Sequence, residues 1–207
     1  MRCLKLLAAA ALLFTATTAS AQLYLYAGAG GGNPKFDGND FPLLLTRRDD
    51  TKDVTYHAGL GYRFSRHWAV EIGAADLGDY SFDGQDFAGD TLRGTYKVAG
   101  FKTAVLGIVP LTERFSLFGK LGIGSTKAEF EGTLTVGGTA TTFTVDERRN
   151  SLLAGFGAQY MIWPNLGVRG EFENWGEVGN EKLFPGDTSH TGRAKMATWN
   201  LQAVFTF

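Results

Sequence analysis

The sequence holds little that could cross-link it or bind a metal through sulfur, because Cys3 is the one cysteine in 207 residues. A single thiol excludes an internal disulfide and a cysteine-rich zinc site. Proline is scarce as well, with five residues, so extended segments can continue without interruption. The chain must therefore be stable through its fold alone.

No apolar run is long enough to cross a membrane as a helix, which needs about 20 apolar residues. The run Leu6 to Phe14 follows the positive residues Arg2 and Lys5 and precedes the small residues Ala19 to Ala21. That order is typical of a secretory signal peptide. An uncleaved anchor is the alternative, and the shortness of the run disfavours it. We predict a cleaved signal peptide at residues 1–21 and one domain over residues 22–207.

Neither sign of charge dominates the exported part. Without Arg2 and Lys5, 18 of the 20 basic residues remain against 21 acidic ones, a net charge of −3. Such a chain has no basic field to attract nucleic acid. The glycine-rich stretch 28–32 lacks the following Lys-Ser/Thr pair and the helix pattern of a phosphate-binding loop. We therefore expect no nucleic-acid partner and no cofactor.

Apolar and polar residues alternate with a period of two, the pattern of half-buried β-strands. The connections are alternately short and long, as in hairpins whose turns are all tight on one side. Compact soluble domains rarely carry four long loops. The alternating segments are 23–32, 54–64, 67–77, 95–109, 114–125, 150–162, 166–175 and 195–207. The long connections between them are 33–53, 78–94, 126–149 and 176–194.

One face of these segments carries no charge, whereas the other carries Arg63, Glu71, Lys102, Lys120, Gln159, Arg169, Glu171, Asn200 and Gln202. A charge on the lipid face at mid-bilayer costs about 2–4 kcal/mol, so the uncharged face is predicted to contact lipid. A soluble ligand-binding barrel with its apolar face inward would show the same alternation. Aromatic residues near the segment ends favour the membrane, where they form girdles: Tyr24, Tyr62, Trp68, Tyr160, Trp163, Trp175 and Trp199.

We therefore predict an all-β fold: an eight-stranded antiparallel up-and-down transmembrane β-barrel with long extracellular loops and short periplasmic turns. The first segment fits this pattern least well, because Tyr24 and Tyr26 stand on the side that would face inward.

Three stretches, Gly59 to Gly78, Val98 to Gly124 and Gly155 to Gly179, follow one another in an order and spacing that resembles the OmpA-type transmembrane domain. That family consists of small eight-stranded outer-membrane barrels. The resemblance implies a Gram-negative outer-membrane location, in contact with outer-membrane lipid and lipopolysaccharide. The terminal strand is similar to the signal that the barrel-assembly machinery reads, in Trp199, Leu201, Phe205 and Phe207. The peptidoglycan-binding domain of some members has no counterpart in this sequence, so that function is not carried over.

The resemblance further implies ionic pairs inside the barrel, with Glu71, Lys120, Arg169 and Glu171 at the matching interior positions. Lys102 and Arg63 stand on the same face and complete the predicted charge network. A further basic position of the family is matched here by the apolar Leu106, so an exchange of ion-pair partners is not expected. Eight strands leave room for little besides side chains, which favours charges that fill the lumen over charges that line a path.

The residues that could carry chemistry are few. His57, His67 and His190 form no recognisable set with a serine and an acid, so we predict that the protein is not an enzyme. Carboxylates flank glycine turns in two similar loops and could bind Ca²⁺ or form Asx turns, at Asp37, Asp40, Asp83 and Asp86. Their spacing is not that of an EF-hand, and we predict no metal site.

These observations predict a non-enzymatic outer-membrane protein that contributes to envelope structure and presents its loops to an unidentified surface ligand. A narrow, porin-like channel for small solutes or ions is the alternative, and a lipid-modifying enzyme is the third candidate.

Overall fold

The structure, a computed structural model, describes residues 22–36, 46–50, 53–85, 90–180 and 192–207. These residues form nine strands: β1 (Gln22–Phe36), β2 (Thr46–Asp50), β3 (Asp53–Arg63), β4 (Trp68–Gln85), β5 (Thr91–Pro110), β6 (Phe115–Val136), β7 (Thr139–Met161), β8 (Leu166–Asn180) and β9 (Gly192–Thr206). In the described part of the chain, no helix is long and apolar enough to span a membrane.

Eight of these strands close into one antiparallel barrel, in the order β3-β1-β9-β8-β7-β6-β5-β4. Pairing of β4 with both β3 and β5 completes the circle. The short strand β2 pairs with the far end of β4, from Thr46 opposite Gln85 to Asp50 opposite Ser81. The predicted eight-stranded antiparallel barrel is confirmed.

Both ends of the described chain lie at the same rim of the barrel. There Gln22 pairs with Arg63, and the Phe207 amide donates to the Leu23 carbonyl at 3.0 Å. Three tight turns share this rim, at residues 64–67, 111–114 and 162–165. In outer-membrane barrels the short turns face the periplasm. We refer to this rim as periplasmic and to the opposite end as outer.

The prediction of a long loop over residues 126–149 is wrong. β6 and β7 stay paired from Phe115 opposite Tyr160 to Val136 opposite Thr139. A two-residue turn joins them, with Gly137 and Gly138 at φ of 56° and 84°, the positive values that a type I′ hairpin turn requires. Most of the predicted loop 78–94 likewise belongs to β4 and β5. The charges of Lys127, Glu129 and Glu131 had suggested a loop, but they share the outward row of β6, while Ala128 and Phe130 are buried on its inner side. A strand with one face in water can be polar on that face.

The uncharged face of the barrel points outward. Val70, Leu121 and Phe172 are 39%, 58% and 40% exposed, while Glu71 and Arg169 are buried inside. A soluble barrel with an apolar interior would show the reverse. This outward belt of apolar side chains is what acyl chains require of a spanning sheet.

Two of the seven aromatic residues predicted for the girdles, Tyr24 and Trp175, are instead buried in the interior. Tyr24 pairs with Gly61, and its ring occupies the space that a side chain at Gly61 would fill. Trp175 lies at a register shift in β8, between Asn174 and Gly176. Large rings thus fill the lumen where neighbouring strands carry glycine. Tyr62, Trp68, Tyr160, Trp163 and Trp199 are exposed, in keeping with a girdle.

Candidate functional site

The most concentrated polar chemistry of the described residues lies inside the barrel. On its periplasmic side, Glu71 Oε1 accepts hydrogen bonds from Arg169 Nη1 at 2.6 Å and from the Tyr24 hydroxyl at 2.8 Å. Arg169 also donates to Gln159 Oε1, from Nη2 at 2.9 Å and from Nε at 3.2 Å. This guanidinium therefore bridges two strands, β4 and β7, from its position on β8.

Lys120 lies at the centre of the lumen and contacts three carboxylates. Its Nζ is 2.7 Å from Glu171 Oε2, 3.0 Å from Glu71 Oε2 and 3.0 Å from Glu173 Oε1. The ammonium group donates hydrogen bonds to Glu171 and Glu173, and its contact with Glu71 is an ion pair. One side chain from β6 thereby ties β4 and β8 together across the barrel.

Glu173 is an interior residue that the sequence-based network omitted. Its Oε1 accepts a hydrogen bond from Lys102 at 2.5 Å, and Lys102 lies 3.6 Å from Glu171. The signal was available, because Glu173 shares the parity of Arg169 and Glu171 on β8. A strict two-residue period would have placed it in the lumen.

These six side chains form a charge layer with three carboxylates and three cations: Glu71, Glu171, Glu173, Lys102, Lys120 and Arg169. All are buried, and the opposite charges balance. A buried pair that loses one partner strands the other charge, at a cost of about 3–5 kcal/mol. The ring of Tyr26 lies beside all three cations, 5.5–5.9 Å from them, and supplies further cation–π stabilisation.

Apolar side chains cover the charge layer on both sides. The floor, towards the periplasm, consists of Ala69, Leu106, Ile108, Phe118 and Val204. Its Phe118 ring lies 4.9 Å from the Arg169 guanidinium carbon. The roof, towards the outer end, consists of Leu77, Val98, Leu153, Trp175 and Met196. Its Trp175 ring lies 5.6 Å from Lys102 Nζ. Apolar groups therefore enclose the charges on both sides, apart from Arg169, which also lines a small cavity at the periplasmic mouth.

Arg63, the sixth residue of the predicted network, lies apart from the charge layer. It is half-buried at the periplasmic mouth, beside a cavity of about 20 Å³ that Tyr24, Gln159 and Arg169 also line. Across the described ranges, no ion pair includes Arg63. Leu106 faces inward, as its parity requires, and belongs to the floor.

His57 is buried between the charge layer and the roof. Its Nδ1 is 3.4 Å from Glu173 Oε2, and its ring centroid is 6.2 Å from that of Trp175. Neither ring nitrogen has a hydrogen-bond partner among the described residues.

His67 lies in a periplasmic turn. The described ranges hold no cluster of three His, Cys, Asp or Glu side chains able to bind a metal. Asp83 contacts Arg93 at 3.2 Å. Asp37, Asp40, Asp86 and His190 lie outside the described residues.

Comparison with known proteins agrees with the barrel fold. One similar structure is that of Ail, the attachment invasion locus protein of Yersinia pestis, in complex with the heparin analogue sucrose octasulfate. The superposition covers 91% of this chain and 99% of that chain, with 20% identity and a TM-score of 0.53. Another structure of Ail gives 20% identity, the same coverage and a TM-score of 0.51. Neisserial surface protein A gives 10% identity over 89% of this chain and 97% of its own, with a TM-score of 0.42.

At these identities the likeness shows the fold alone. No curated protein matches the sequence significantly. The profile of the family described as "Outer membrane protein beta-barrel domain" matches residues 6–207, which is nearly the whole chain. The protein therefore belongs to the outer-membrane β-barrel domain family.

Proposed function

We propose that this protein is a non-enzymatic structural component of the outer membrane, with a closed lumen and with its specific role carried by the outer strands and loops. The observation that carries this proposal is the balanced charge layer enclosed between an apolar floor and an apolar roof. A solute that crossed the barrel would have to displace paired charges and packed rings. Leaving a buried charge unpaired costs several kcal/mol.

The outer half of the barrel is the part able to meet a partner. β6 and β7 are 22 and 23 residues long, whereas a tilted spanning strand needs about 9–11 residues. The excess projects on the outer side as paired strands. Exposed segments on a rigid scaffold are where binding functions concentrate.

The remaining partners follow from the lipid-facing surface. Trp199, Leu201 and Phe205 lie on one outward row of β9, and the Phe207 ring meets Phe205 edge-on at 5.2 Å. We include in the proposal that a signal peptide at residues 1–21 is removed, that outer-membrane lipid and lipopolysaccharide surround the barrel, and that this row guides the assembly machinery. Deletion of Phe207 should slow assembly in cells without changing the stability of refolded protein by more than about 1 kcal/mol, a typical surface effect.

Planar-bilayer recording tests the closed lumen. We expect no stable conductance steps from the refolded protein. The double variant Phe118→Ala/Trp175→Ala, which removes a large ring from the floor and one from the roof, should give measurable leak. Stable, charge-selective conductance of the unaltered protein would overturn the proposal.

A narrow channel is the second candidate, because the periplasmic mouth cavity reaches Arg169. If the protein conducts through this mouth, the Arg63→Glu variant should change ion selectivity, since Arg63 lines it. We expect the charge layer to block the passage of ions beyond Arg169. If the barrel is closed in this way, the same variant should show no conductance.

A lipid-modifying enzyme has less support, because His57 is enclosed in the lumen away from lipid. Mass spectrometry of outer-membrane lipids, with and without the protein, should show the same species. A new or missing acyl group that depends on the protein would refute the non-enzymatic proposal.

A further inference from the structure

β7 is paired on only one side over much of its length. Its ladder to β6 extends to Thr139, but its ladder to β8 covers only residues 154–161. Above Asn174 the register of β8 shifts, and the strand continues in pairing with β9 alone. Side chains of β7 still contact β8 beyond the end of this ladder, because Ser151 donates to the Trp175 carbonyl and Arg149 lies 3.5 Å from Glu177. Within the described ranges, residues 139–148 of β7 therefore form a sheet edge.

The outer part of this edge lies beyond the lipid-facing belt. The outward residues of β7 are apolar from Tyr160 to Leu152, and the row continues with Asn150, Arg148 and Asp146. On β6 the last outward apolar residue of the belt is Ile123, and Lys127 is the first outward charge. The edge above residue 150 is thus in water, where unpaired backbone groups can meet another chain.

The outermost seven residues of β7, Thr139 to Val145, lack the features that normally protect a sheet edge. This edge segment contains four threonines and no charged residue or proline. Natural edge strands are usually blocked by lysine, proline or a bulge. Threonine and valine favour the extended conformation. A free row of N–H and C=O groups is complementary to the backbone of another extended strand.

The edge segment is well suited to pair with itself. In an antiparallel pair centred on Thr142, Thr139 faces Val145 and Ala140 faces Thr144, so no charges are opposed. On the outer face, Thr142 already contacts Thr133 of β6, with the hydroxyl oxygens 3.4 Å apart. Pairing of two copies would continue this row as Thr133-Thr142-Thr142-Thr133, and cross-strand threonine pairs stabilise sheets.

The symmetry of such a pair determines where the second copy must be. Identical antiparallel strands are related by a two-fold axis perpendicular to their sheet, which makes the contact isologous. The barrel wall stands upright in the membrane, so this axis is parallel to the membrane plane and inverts the second barrel. We propose that the edge segment of β7 binds the edge segment of a second copy in an opposing membrane and so joins two membrane surfaces.

Vesicle clustering tests this proposal. Proteoliposomes that carry the full chain with its outer strands on the outside should form clusters, which light scattering detects. The apparent number of vesicles per cluster should rise at least tenfold as the density of protein in the vesicles increases. Thr142→Lys and Thr142→Glu each place like charges opposite one another at the symmetry centre, so each should abolish clustering. A mixture of the two kinds of vesicle should cluster again, because lysine then faces glutamate.

Thr135→Lys on β6 is the matched control and should cluster like the unaltered protein, since it adds the same charge one strand away from the edge. The heat-dependent gel mobility of each variant establishes that it is folded. Dispersed vesicles of the unaltered protein, clustering that survives Thr142→Lys, or a mixture that stays dispersed would each overturn the proposal. Cross-linked pairs within single vesicles, without clustering, would overturn the opposing-membrane geometry. None of these outcomes depends on whether the lumen conducts.

Discussion

Glu173 accepts a hydrogen bond from Lys102 at 2.5 Å across the lumen, joining β8 to β5. The same oxygen lies 3.0 Å from Lys120 of β6. Glu173 therefore contacts two cations, and Lys120 contacts three carboxylates. The interior is a connected layer of charges in which each residue depends on several others, and such networks make the removal of one member costly.

Lys120→Ala should destabilise the barrel by about 3–5 kcal/mol, because three buried carboxylates would lose their common cation. Urea unfolding in liposomes measures the change. Lys127→Ala is the control on the same strand, since Lys127 is exposed and contacts Glu129 at 3.4 Å. It should change stability by less than about 1 kcal/mol, as exposed ion pairs do. Equal effects of the two substitutions would contradict the charge layer.

Removal of both Lys102 and Glu173 should cost less than the sum of the single changes. Lys102→Met leaves Glu173 short of a cation, and Glu173→Gln leaves Lys102 short of an anion, whereas the double variant keeps the layer neutral. We expect a coupling energy of about 1–3 kcal/mol, the range for residues in one network. The double-mutant cycle is measured by the same unfolding assay, and additive effects would show that the two residues act independently.

Gly124→Val should destabilise the barrel by about 1–3 kcal/mol through overpacking. A Cβ atom at Gly124 would lie 3.0 Å from Trp175 Cε3, and the added methyl groups need still more room. Gly119→Val, on the same strand, is the control because a Cβ atom there has no neighbour within 4 Å among the described residues. The unfolding midpoint should fall for Gly124→Val alone; equal midpoints would place the Trp175 ring elsewhere.

Fluorescence of single-tryptophan variants should separate Trp175 from the other three tryptophans. Trp175 is fully buried, whereas Trp199 and Trp68 are 62% and 51% exposed on the outward surface. Bilayers of brominated phospholipid should quench Trp199 strongly and Trp175 only weakly. Strong quenching of Trp175 would mean that its ring faces acyl chains and that the lumen lacks its roof.

The alternation of residues along the chain was sufficient to predict the membrane-spanning part of the strands and their lipid-facing side. A charge such as Glu71 or Arg169 cannot lie in hydrocarbon without a large cost, so the parity of the charged positions indicated which face is enclosed. The tight turns at 111–114 and 162–165 could also be predicted, because the alternation breaks there. A strict period of two also places Glu173 on the inward face, although the predicted network omitted this residue.

The sequence by itself therefore determined the membrane-spanning part of the strands, the two faces and the charged interior, since each follows from a local repeat. Only the tertiary structure decided which strands meet and at what register. Tyr24 lies inside because Gly61 is directly opposite it, and Trp175 lies inside because Gly100 and Gly124 leave room across the lumen. The continuous β6–β7 hairpin and the end of the β7–β8 ladder at Ala154 likewise depend on pairing between distant segments. Register is a relation between residues far apart in the chain, so no local pattern specifies it.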